Sequence, residues 1–224
     1  MELLNINELH INFSTNGGQV QVLSGFCLDI QKGNSICLVG ESGCGKTIVA
    51  LSIMRLLPEN AQISGMIHFK DRDLLTLGKE EMRRIRGHEI SMIFEQPSSC
   101  LNPVFTVGDQ IAEAVRANEE CEKKEARESA IALMKLTGIP SPEKRFGQYP
   151  HEFSGGMLQR AMISIAMASK PALLIADEPT TSLDVSVQAQ MIELIKDLIA
   201  KFDMSLLLIT HDLGVAAELC RDVV

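Results

Sequence analysis

Four short runs of consecutive apolar residues punctuate the chain: "SICLVG" at 35–40, "ISMIF" at 90–94, "ALLIAD" at 172–177 and "SLLLITHD" at 205–212. Runs of this length without polar alternation fit strands buried on both faces. Set between helical patterns, they predict a parallel sheet in an α/β core. The first 35 residues follow a different rule. "LLNINELHINF" alternates polar and apolar positions, Gly17 and Gly18 offer a turn, and "QVQVLSGFCLDI" follows. That pattern predicts antiparallel strands.

Residues 98–170 read as mostly helical. Thr106 is placed to cap a helix that carries Asp109 in its first turn and Val107, Ile111, Ala114 and Val115 at helical spacing. In "ECEKKEARESAIALMKLTGI" the charges share one face and Ala130, Leu133 and Met134 another, with Gly138 as the stop. The charge run reads as a solvated face.

Composition narrows the function. A chain of 224 residues can bury one substantial core, and a net charge of -8 argues against nucleic acid and against anionic lipid as partners. Six cysteines show no CxxC and no metal-ligand spacing, which fits small buried hydrophobes in a reducing compartment. The N-terminus has no signal-peptide pattern, and no window reaches the roughly 18 apolar residues that a membrane span needs. Any link to a membrane is therefore expected to run through a partner protein.

"GESGCGKT", Gly40 to Thr47, fits GxxxxGK[ST] between a buried strand and the helical run "IVALSIMRLL" at 48–57. Gly43 and Gly45 let the backbone turn so that amides from Gly40, Glu41, Ser42, Cys44 and Ile48 can face phosphate oxygens. Lys46 supplies a cation for the β- and γ-phosphates, and Thr47 offers a hydroxyl to Mg²⁺. "LLIADEP" adds Asp177 at a strand end as a Mg²⁺ ligand and Glu178 as a base for the attacking water. These two motifs, Walker A and Walker B, predict a nucleoside triphosphatase.

Three further stretches resemble the ATP-binding cassette (ABC) ATPases. "FSGGMLQR", Phe153 to Arg160, looks like their signature, "TTSLD", Thr180 to Asp184, like their D-loop, and "LLLITHD" places His211 at their switch histidine. The motif order matches across essentially the whole chain. The resemblance implies a P-loop (RecA-like) core with a mainly parallel sheet, an N-terminal antiparallel β subdomain and a helical subdomain. It also implies ATP and Mg²⁺ as cofactors. Two cassettes would sandwich two ATPs head to tail, so Ser154, Gly155, Gly156, Gln159 and Asp184 would face the nucleotide of a second ATPase subunit, identical or not. Phe13 would stack on adenine, and His211 would contact the γ-phosphate.

The Q-loop departs from the family. Importers of the peptide and nickel class typically read "FQEP…LNP", whereas this chain reads "FEQPSSCLNP" from Phe94 to Pro103. Either Glu95 takes the glutamine's place beside Mg²⁺, or the loop slips by one and Gln96 fills the role.

"LNP", "QYPHEFSGGMLQR" and "ADEPTTSLDVSVQAQ" are similar to ATPase subunits of dipeptide, oligopeptide and nickel importers, with Leu158 closer to the nickel branch. That class implies membrane-spanning permease subunits as partners, indirectly an extracytoplasmic solute-binding protein, and a place on the cytoplasmic membrane face. Its layout divides the chain into 1–35 and about 60–75 as β subdomain, 36–59, 76–97 and 171–224 as nucleotide-binding core, and 98–170 as helical subdomain. "ELCRDVV" would begin a further strand, so C-terminal truncation is expected. A soluble non-transport ABC ATPase, or an ATP-gated clamp with little turnover, is the alternative.

Overall fold

All four apolar runs form strands. The computed structural model describes every residue except Asn16, Ser42, Glu119 and Ser182, so Ser42 of the phosphate loop lies outside the described residues. The first elements are β1 (Glu2–Thr15), β2 (Gly18–Gln31), β3 (Ser35–Val39) and α1 (Lys46–Ile53). Then come β4 (Ala61–Phe69), β5 (Arg72–Asp73), α2 (Lys79–Ile85) and β6 (Ile90–Ile93). Helices α3 (Pro97–Cys100), α4 (Val107–Asn118), α5 (Lys123–Leu136), α6 (Pro142–Arg145) and α7 (Gly155–Ala166) follow. The remaining elements are β7 (Leu173–Asp177), α8 (Val185–Phe202), β8 (Ser205–Thr210), α9 (Leu213–Leu219) and β9 (Asp222–Val223). They gather into two compact units, residues 1–86 with 205–224, and residues 87–204.

In the first unit β2, β1, β4 and β5 form an antiparallel sheet in that order. Leu4 and Ile6 of β1 are buried, then Leu9 and Ile11, so the alternation changes phase between them. A bulge explains the change. The pairing with β2 shifts between Ile6 and Leu9, and Glu8 adopts a left-handed φ of 48°. The partner strand accommodates it with Gly65, where a Cβ would stand 2.3 Å from the Glu8 carbonyl oxygen. In the same unit β3 pairs in parallel with β8 on one side and β9 on the other.

The helix after the phosphate loop is shorter than its apolar pattern predicts. It ends at Ile53, because Arg55 turns left-handed at φ 49°. Arg55 N donates to Ser52 O at 3.0 Å and Leu56 N to Leu51 O at 2.8 Å, the bond pair of a Schellman stop normally built on glycine. Side chains compensate. Arg55 donates to the carbonyls of Leu74 and Leu77, and Arg86 donates to those of Met54 and Arg55, the latter two at 2.6 and 3.0 Å. The Arg86 guanidinium on the carbonyls just past α1 also opposes the helix dipole favourably.

In the second unit β6 and β7 pair in parallel and are buried throughout. The helices close over Leu101, Val107, Ile111, Ala130, Met134, Ile139, Phe146, Phe153 and Ala161. As the spacing predicts, Thr106 Oγ1 accepts from Asp109 N at 3.1 Å, and Gly138 stops α5 at φ 74° with a Schellman pair, Ile139 N to Met134 O at 2.9 Å and Gly138 N to Lys135 O at 3.1 Å.

Candidate functional site

The first unit builds a phosphate cradle at the carboxyl end of β3. Val39 lies in register with Thr210 of β8, so the loop from Gly40 and the segment opening with His211 leave the sheet at the same end. Gly43 and Gly45 have φ of 84° and 101°, which lets the loop fold back beneath α1. A Cβ on Gly40 would stand 2.9 Å from Cys44 Sγ, so this first glycine is needed for close approach. Helix α1 begins with no side-chain cap and no acid in its first turn. Its first amides and positive dipole end thus remain available to an anion.

Lys46 is half-buried, and its ammonium donates to the carbonyls of Gly40 at 2.7 Å and Glu41 at 2.8 Å, with Cys44 Sγ at 3.7 Å. None of these partners carries a formal countercharge. Thr47 is exposed beside it. A phosphate fits this donor set, and with Thr47 the site suits a Mg²⁺–nucleotide. His211 is exposed just before α9, whose N-cap Asp212 accepts from Gly214 N at 2.7 Å. Phe13 is half-buried on β1, between Val20 of β2 and Ala61 of β4.

The second unit gathers the acidic residues. Ile93 of β6 lies in register with Ala176 of β7, so Glu95 and Gln96 leave the strand pair at the same end as Asp177 and Glu178. Asp177 is buried at 3% exposure, whereas Glu95 and Gln96 are exposed. Glu178 is half-buried and left-handed at φ 46°, and Thr181 Oγ1 donates to its Oε2 at 2.7 Å.

Two helix starts carry the remaining candidates. Ser154 caps α7 by accepting from Met157 N at 3.4 Å, as expected, with Gly155 exposed after it. Asp184 caps α8 by accepting from Ser186 N and Val187 N, at 3.1 and 3.0 Å. The Val187 amide, followed by the Ser186 hydroxyl, holds the Asp184 carboxyl below its usual pKa. Gln159 is 1% exposed, whereas Ser154 and Gly155 face solvent. Sequence reasoning passed over Arg160, whose hydrogen bonds reach two other helices. Its signal was the "QR" that closes the signature stretch.

Comparison with known proteins fits this geometry. Residues 23–181 match the ABC transporter family. The dipeptide transport ATP-binding protein DppD of Bacillus subtilis (strain 168) is 50% identical over 224 residues, 99% of this chain and 67% of that protein. The oligopeptide transport ATP-binding protein OppD of the same strain is 49% identical over 223 residues, 99% of this chain and 62% of that protein. The chain thus spans about two thirds of the length of the curated relatives it matches. The solved dimer of the ATP-binding cassette MJ0796, with ADP and Pi in a post-hydrolysis state, matches with a TM-score of 0.86 at 23% identity, over 97% of this chain and 91% of that one. That likeness bears out the ABC ATPase fold. With half its residues shared with DppD and the family's pattern matched over 23–181, the chain belongs to the ABC transporter family.

Proposed function

We propose that this chain is the ATP-hydrolysing subunit of a peptide importer, driven by head-to-tail pairing with a second ATPase subunit. The observation that carries the reading is the start of α1 at Lys46, without a side-chain cap, where among the described residues neutral groups hold the ammonium. Gly40, Glu41, Gly43, Cys44, Gly45 and Ile48 would wrap the β-phosphate with backbone amides. Lys46 would shift from its carbonyls to the β- and γ-phosphates. Thr47 and Asp177 would hold Mg²⁺, with Glu95 the further oxygen ligand or Gln96 in its stead. Bound Mg²⁺ supplies charge neutralisation on the phosphates. Glu178 would take the proton of the attacking water, a role worth about 10²–10⁴ in rate. His211 would contact the γ-phosphate and Phe13 the adenine. Ser154, Gly155, Gly156 and Asp184 would close over the nucleotide of the partner subunit.

The names of DppD and OppD support peptides as cargo over nickel, despite Leu158. Among the described residues no helix is long and apolar enough to cross a membrane, so docking on permease subunits at the cytoplasmic face is the proposed route to the bilayer. The exposed side chains of Val104 and Phe105, just after the Q-loop, suit such a contact. An extracytoplasmic solute-binding protein would deliver the cargo.

The test is Mg²⁺-dependent ATP hydrolysis against protein concentration. Rates should rise faster than linearly and fall at least about 10²-fold in Glu178→Gln. Lys46→Ala should lose ATP binding itself. A linear rate, or an active Glu178→Gln, would overturn the reading. Glu95→Gln assigns the Q-loop: a changed rate places Glu95 in the site, and an unchanged one gives the role to Gln96.

A further inference from the structure

Arg160 ties three helices of the second unit together. Its Nη1 donates to the Thr137 carbonyl at 2.6 Å and its Nη2 to Gln190 Oε1 at 3.1 Å. Thr137 ends α5 and Gln190 lies on α8, so one side chain of α7 reaches both neighbours. Behind it, Thr137 and Ser164 are fully buried and share a 2.8 Å hydrogen bond, and Ser164 Oγ donates to the Arg160 carbonyl at 2.9 Å. That buried network joins α5 to α7, and the bond to Gln190 extends it to α8 at the surface, through an exposed glutamine. Burial lowers the Arg160 pKa from the usual guanidinium value, yet the group stays charged at neutral pH.

Two glycines fit the same contacts. A Cβ on Gly138 would stand 2.6 Å from Arg160 Nη1, and one on Gly156 would stand 2.9 Å from Val187 Cγ1. Gly156 and Arg160 are one turn apart on α7, as are Val187 and Gln190 on α8, so the two contacts fix one register between the helices. The starts of those helices are the capped segments at Ser154 and Asp184.

We propose that Arg160 is a positioning residue that holds α7 in register with α8, so that the Ser154 and Asp184 helix starts meet the partner subunit's nucleotide as one rigid edge. The catalytic consequence rests on the head-to-tail reading above; the tie between α7 and α8 does not.

Three variants of the whole chain test it: Arg160→Lys, Gln190→Ala and the double substitution. Lysine keeps the charge but cannot span both acceptors. In Arg160→Lys, hydrogen exchange at Ser186 to Gln190 should quicken about tenfold, while β6 and β7 keep their protection. At saturating ATP, kcat should fall about tenfold, with ATP affinity unchanged. The double variant should lose no more than Arg160→Lys alone, because both remove one interaction. Unchanged exchange at the start of α8, additive losses in the double variant, or a parallel loss of kcat, ATP affinity and thermal midpoint would each overturn the proposal. A wild-type rate linear in protein would defeat the head-to-tail reading instead, with exchange and additivity still deciding whether Arg160 ties the helices.

Discussion

Glu178 holds a left-handed backbone that glycine would adopt freely. For a residue with a side chain that conformation costs on the order of 1–2 kcal/mol. Glu178→Gly should therefore raise the thermal midpoint by a few degrees while abolishing hydrolysis, a trade visible by calorimetry beside an ATPase assay. Asp184 gives a prediction in pH. Its folded pKa lies below the unfolded value, so its capping contribution is present above about pH 4 and is lost as pH falls through the lowered folded value. Asp184→Asn keeps a capping oxygen without the titration, and should flatten that acid limb in thermal melts between pH 5 and 3. The strand and helix that flank the loop at Lys46, and the strand that ends at Asp177, were legible because local motif spacing carries them. The burial of Gln159 and the reach of Arg160 were not, since both depend on helices distant in sequence.

The strands were legible from pattern, and the two irregularities were not. The phase change in β1 is a bulge that Gly65 makes room for, and nothing in the alternation of "LLNINELHINF" names the strand lying across it. Gly65→Ala combines a φ of 106° with backbone overlap at Glu8, and should cost about 2–4 kcal/mol in denaturant unfolding. Helix α1 reads as longer because Met54, Leu56 and Leu57 continue its apolar pattern. Its stop lies in the backbone of Arg55 and in carbonyls reached by Arg55 and Arg86, so no glycine marks it.

Under the head-to-tail reading, a monomer lacks the Ser154 and Asp184 contacts that its nucleotide would receive from a partner. Glu178→Gln with MgATP should sediment as a dimer, and the same protein without nucleotide as a monomer. The net charge of -8 predicts no retention on heparin near 150 mM salt. Residue identity at the nucleotide motifs was legible, whereas the division into two compact units was not, because strands far apart in sequence build each one. The contact between Gly138 and Arg160 also bears on how such chains diverge. A side chain at 138 would meet the tip of the Arg160 guanidinium, which can swing aside, whereas the left-handed φ of 74° resists any side chain there. Divergence at 138 is therefore limited by its own backbone, and residue 160 can change while the glycine stays.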